Sequence, residues 1–197
     1  MNEDTIEIEN FLNNNDFELL KQFSNKLISQ ATASSKNGTI GFVYEKSLIK
    51  KLIDHKLRKI LKPFSVHRSM ILNEISPWAI HTDWHKGDKN PYFAVLLPID
   101  FNDKNTHTIV FNETGYDDDW KETQTLKNTI WSNQELQLLS HINKSNLQYV
   151  TLNKTLKWMS RKLIGWDRKL LHCSDNFINE TEKKTALVLF LSENEEV

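Results

Sequence analysis

Apolar residues recur at helical spacing in the first third of the chain and at strand spacing through most of the remainder. Asn13-Asn14-Asn15-Asp16 has the composition of a helix start, and Leu19, Leu20, Phe23, Leu27 and Ile28 follow near one-turn intervals, which predicts a first amphipathic helix. Ser34-Ser35-Lys36-Asn37-Gly38 reads as a turn, and 40–44 as a short strand. Leu48, Ile49, Leu52, Ile53, Leu57, Ile60 and Leu61 mark a second, stronger helix, which Pro63 ends because proline has no N–H to continue the ladder.

From residue 64 the period changes to two. Val66, Arg68, Met70 and Leu72 alternate with His67, Ser69 and Ile71, and the β-rich runs at 92–99 and 106–111 predict further strands. The segment 112–157 is polar, acidic at Asp117-Asp118-Asp119 and weakly periodic, so it reads as an excursion with short helices. Order returns at 163–172, and the apolar run 184–191 has the length of a buried strand. Together these elements predict an α+β, mainly β chain: one domain over 1–197, with 1–63 a mainly helical cover on one outer face and 64–192 a β core carrying the insert at 112–157.

Composition narrows the function classes. With 25 basic against 26 acidic residues the net charge is -1, which argues against nucleic acid or an anionic membrane as a partner. The lysines between 50 and 62 read as the wet face of a helix. A single cysteine, Cys173, allows no internal disulfide, and Met1-Asn2-Glu3-Asp4 lacks the pattern of a signal peptide, so the expected compartment is the cytoplasm. No apolar run approaches the roughly 20 residues of a membrane span. Matches to Asn-x-Ser/Thr such as Asn37-Gly38-Thr39 are then chemically idle.

The chemistry gathers at His81-Thr82-Asp83, directly after an expected strand ending near Trp78-Ala79-Ile80. In an extended chain residues two apart point to one side, so the imidazole and the carboxylate can converge on one ion. Two ligands bind weakly. A second histidine would complete the 2-His-1-carboxylate set that leaves three octahedral positions open, as in non-haem iron(II) oxygenases. His172, followed by the polar Cys173-Ser174-Asp175-Asn176, is the candidate. Competing readings stay open: a strand-end histidine near a solvated aspartate, a non-catalytic jelly-roll binding module, or a zinc-type hydrolase using His81, Asp83 and His85. Against the last, Lys86-Gly87-Asp88-Lys89-Asn90-Pro91 says that the chain is already turning at His85.

His81-Thr82-Asp83, His172 about ninety residues on, and Lys184-Thr185-Ala186 at the head of the last strand resemble the iron(II)/2-oxoglutarate dioxygenase superfamily. The match is to its phytanoyl-CoA hydroxylase-like and prolyl-hydroxylase-like branches, including small bacterial and phage enzymes, and covers about 64–191. The resemblance implies a double-stranded β-helix, a cupin-like jelly-roll, with N-terminal helices packed on one outer face. It implies iron(II) on His81, Asp83 and His172 as metal and catalytic residues, with 2-oxoglutarate and O2 as cosubstrates and ascorbate allowed for as a reductant. Family members place a basic residue shortly beyond the distal histidine to bind the far carboxylate of 2-oxoglutarate. Lys184 is the choice here and Lys183 the fallback, with Ser174 assisting. Lys in place of the commoner Arg offers a point charge where Arg offers a fork. The implied activity is hydroxylation of a small-molecule, amino-acid or peptidyl substrate with release of succinate and carbon dioxide. Asp83 fills the position that related halogenases leave open for chloride.

Overall fold

The computed structural model describes residues 4–31, 33–35, 37–43, 46–101, 106–116, 119–178 and 183–194. The readings of Met1, Asn2, Glu3, Lys36, Tyr44, Asp117 and Asp118 lie outside them. Among the described residues, ten strands form two antiparallel sheets. The larger has the order β1 (Thr5–Ile8), β8 (Leu163–Asp167), β5 (Pro91–Asp100), β10 (Lys184–Glu193), β4 (Phe64–Glu74), β3 (Gly38–Phe42), β2 (Ala33–Ser35). The smaller has the order β7 (Leu152–Lys157), β6 (His107–Thr114), β9 (Leu170–Ser174).

Strand alternation divides the interior into layers. Along β10, Leu187, Leu189 and Leu191 enter the core beneath the helices, whereas Ala186, Val188 and Phe190 enter the one between the sheets, beside Val110 and Leu156 of the smaller sheet. Helix α1 (Asn14–Ser29) lies on the outer face of the larger sheet, contributing Phe17 and Leu20. It begins where expected: Asn13 caps it, its side chain accepting from the Asp16 N–H at 2.8 Å. Leu19, expected in its apolar stripe, is 43% exposed, because the buried row runs through Phe17, Leu20 and Ser24 and leaves Leu19 on the flank.

Several expectations are corrected. The first sixty residues contribute two strands beyond the one expected near 40–44: β1 pairs with β8, and β2 forms a hairpin with β3, the expected strand, which lies on β4. Gly38 (φ +153°) opens β3 where an added Cβ would lie 2.1 Å from Asn73 O. The second helix is α2 (Lys46–Ile49) and α3 (His55–Leu57) joined through a π-turn at Lys50–Asp54, and it stops short of Pro63, leaving Ile60 exposed. The excursion is shorter than the predicted 112–157, since β6 runs to Thr114 and β7 begins at Leu152. Its helices α4 (Asn133–Leu138) and α5 (Lys144–Leu147) belong to a cluster on the outer face of the smaller sheet, with Leu139, Ile142 and Leu147 against Phe111 and Leu171. None of its described residues lines the cavity between the sheets. No helix of the described residues is long and apolar enough to cross a membrane.

Candidate metal centre

His172 stands on β9, on the inner face of the smaller sheet. His81 reaches it from the connection between β4 and β5, which is a loop here and not the expected strand through Trp78-Ala79-Ile80. Pro77 has no N–H for a ladder, and His81 makes a single antiparallel bridge: its N–H donates to His172 O at 3.0 Å and the His172 N–H donates to His81 O at 2.9 Å. That bridge, more than strand alternation, sets the imidazoles side by side, with ring centroids 4.3 Å apart. Two residues on, the Asp83 N–H donates to Arg168 O at 3.2 Å, which turns the carboxylate back toward both rings.

His81 Nδ1 lies 2.8 Å from Ala79 O and His172 Nδ1 lies 3.1 Å from Leu170 O. A carbonyl can only accept, so each Nδ1 carries a proton, which leaves Nε2 as the atom of each ring that can face an ion. Both Nε2 atoms face Asp83, His172 at 3.2 Å from Oδ2 and His81 at 4.0 Å from Oδ1. The three donor atoms lie within 4.8 Å of one another, the one such metal-competent group among the described residues. His85, the third member of the zinc-type alternative, is exposed and outside it.

The electrostatics suit a divalent cation. Burial and the neighbouring His172 push His81 down to about 4, so it stays neutral at ordinary pH. Burial alone would raise Asp83, but His172, His81 and Arg168 hold it down at about 2, and it stays ionised. Outer contacts fix Asp83: Trp166 Nε1 donates to its carboxylate Oδ2 at 3.3 Å, and Arg168 Nη2 donates to its backbone carbonyl at 2.7 Å. Arg168 also donates to Leu191 O at 3.2 Å and to Asp88 Oδ2. Trp166 is a core residue, and at the turn after it Asp167 Oδ1 accepts the Lys169 N–H at 2.8 Å. Arg168 carries no signal in the sequence, because a charged residue in a polar turn follows no pattern.

A cavity of about 490 Å³ runs from this centre between the sheets. Lys184 and Ser174 line it, and Lys184 is buried at its floor, with Nζ over the rings of Trp158 at 4.5 Å and Phe177 at 4.7 Å. Lys183 is exposed and does not line it. Near the centre, Arg68, His85 and Lys86 line the same cavity.

No protein-family model matches the chain, and neither does any curated protein sequence. Solved structures do. A non-haem α-ketoglutarate-dependent epimerase, SnoN of nogalamycin biosynthesis, superposes with a TM-score of 0.63 at 8% identity over 96% of this chain and 78% of its own. A Pseudomonas putida prolyl-4-hydroxylase gives 0.59 at 8% over 98% and 95%. The viral collagen prolyl hydroxylase of Paramecium Bursaria Chlorella virus-1, solved with 2-oxoglutarate, gives 0.56 at 12% over 98% of each chain. At such identities the likeness speaks for architecture, and the chain has the double-stranded β-helix fold of these 2-oxoglutarate-dependent enzymes.

Proposed function

We propose that the protein is an iron(II)- and 2-oxoglutarate-dependent oxygenase that oxidises, most simply hydroxylates, a small-molecule or peptidyl substrate. The observation that carries this reading is the donor set: two imidazoles whose Nδ1 atoms are tied to backbone carbonyls and whose Nε2 atoms turn toward one ionised carboxylate, opening into a cavity that has a buried lysine at its floor. Such a set suits a cation that keeps its remaining positions for other ligands. Held there, iron(II) with 2-oxoglutarate and O2 would supply the oxidising power, with succinate and carbon dioxide as co-products and one oxygen atom going to the substrate.

The chain's own residues do the rest. His81, Asp83 and His172 hold the metal, Trp166 and Arg168 hold Asp83, and Lys184 attracts the far end of the cosubstrate, with Ser174 lining the path between. Trp158, Met70 and Val188 keep the passage apolar and limit water. The single cysteine fits a reducing, cytoplasmic setting in which iron stays ferrous.

The test is anaerobic addition of iron(II) and then 2-oxoglutarate, followed in visible absorption. A weak charge-transfer band should appear in the wild type, vanish in Asp83→Ala and in His172→Ala, and need at least tenfold more 2-oxoglutarate in Lys184→Met. Persistence of the band in both ligand variants, or its absence from the wild type, would rule the reading out.

A further inference from the structure

Two acid groups already face Lys184. Glu74 ends β4 with its side chain 10% exposed, and its Oε2 lies 3.3 Å from Lys184 Nζ. From the loop after β9, the fully buried Asp175 brings Oδ1 to 4.0 Å. Neither of these oxygens makes a hydrogen bond. The second oxygen of Asp175 is well served, accepting the His107 backbone N–H at 2.7 Å with His107 Nδ1 at 3.2 Å. His141, beyond α4, and Cys173, on β9, are the other titratable groups that feel Asp175 and Lys184. His81, Asp83 and His172 belong to the metal end of the same cavity, and β3 sets only Gly38 opposite Glu74.

One ammonium between two carboxylates is over-neutralised. A dicarboxylate cosubstrate would bring a third anionic group to this floor, where little water remains to screen it. Glu74 is the acid that can yield: it lines the cavity, whereas Asp175 is committed to His107.

Resting on the oxygenase reading above, we propose that Glu74 is a specificity-determining residue of the cosubstrate site, and that the far carboxylate of the cosubstrate enters together with one proton, taken up by Glu74. The proton comes from solvent, an O–H bond forms on Glu74, and no electrons change hands. The neutral acid then donates that O–H to the incoming carboxylate, while Lys184 turns its charge from Glu74 to the newcomer. Burial already raises the Glu74 carboxyl above its ordinary range, against the pull of Lys184, so protonation here is easier than on an exposed acid.

The test is calorimetric titration of the anaerobic iron(II) protein with 2-oxoglutarate, in buffers of different ionisation enthalpy and across the pH range in which the fold persists. The wild type should take up close to one proton where Glu74 starts ionised, with affinity falling about tenfold per pH unit there. Pyruvate, a 2-oxo acid without the far carboxylate, should bind without uptake. Glu74→Gln should bind 2-oxoglutarate with no uptake and a flat pH profile. Binding of 2-oxoglutarate with no proton at any pH, equal uptake with pyruvate, or uptake that survives in Glu74→Gln would each overturn the proposal and leave the oxygenase reading standing. If Glu74→Gln fails to fold, the two ligands on the wild type decide. No binding at any pH would sink the oxygenase reading, and this inference with it.

Discussion

At the scale of single residues, the centre depends on a side chain that touches no ligand atom. Arg168 is 2% exposed, and its guanidinium ties the loop between β4 and β5, through Asp83 O and the Asp88 carboxylate, to β10, through Leu191 O, with the ring of Phe190 5.4 Å away. Removing a buried charge leaves its partners unpaired, which costs roughly 3–5 kcal/mol. Arg168→Met should therefore lower stability by that order in denaturant unfolding and weaken metal binding about 10- to 100-fold, since the Asp83 loop loses its clamp. Arg168→Lys should recover part of the stability but little of the affinity, because an ammonium cannot reach three acceptors with the geometry of a planar fork. A Met variant that binds iron(II) as tightly as wild type would refute this positioning role. His81, Asp83 and His172, the proposed ligands, could be singled out from the sequence because their types and order follow the chemistry. Arg168 could not, because its importance comes from where two loops meet.

At the scale of elements, what could be read depended on how many neighbours an element has. The central strand β10 pairs with both β4 and β5 and is buried on both faces, so its unbroken apolar run announced it. The edge strand β1 did not announce itself: Thr5-Ile6-Glu7-Ile8 is four residues, and its Glu7 is tied to Lys154 at 2.9 Å and to Lys162, contacts that no local pattern predicts. Trp78-Ala79-Ile80 misled in the opposite sense, with a strand-like composition on a loop that Pro77 keeps out of the ladder. The same contrast predicts energetics. Leu189→Ala, at a position with no exposure in the core under α1, should cost about 2–5 kcal/mol. Leu19→Ala, on the flank of α1, should stay within about 0.5 kcal/mol. Denaturant midpoints of the two variants check this, and equal losses would mean that the apolar stripe of α1 is placed wrongly.

At the scale of the whole molecule, the metal centre and the cavity floor load the fold with opposite dependences on pH. His81 is held at about 4 in the native state against an ordinary 6.5, so between those values the unfolded chain binds more protons and stability falls as pH falls. Asp83, held at about 2 against 3.8, contributes stability above 3.8 that is lost as pH drops toward 2. Glu74 runs the other way: its carboxyl is raised by burial, so the folded state holds its proton longer, and its unfavourable share appears as pH rises through its ordinary 4.5 and above. The metal-free protein should thus lose stability on the acid side below about pH 6.5, by roughly 2 kcal/mol from His81 alone given its partial exposure. A bound divalent cation makes that limb steeper, because protons and metal compete for the same Nε2 lone pairs. Thermal unfolding against pH, with and without metal, measures this directly: the melting temperature added by metal should be large at neutral pH and shrink toward pH 5, and His81→Ala should abolish it. A metal increment that is constant across the range would mean that the imidazoles are not the groups holding the ion, whatever their arrangement around Asp83.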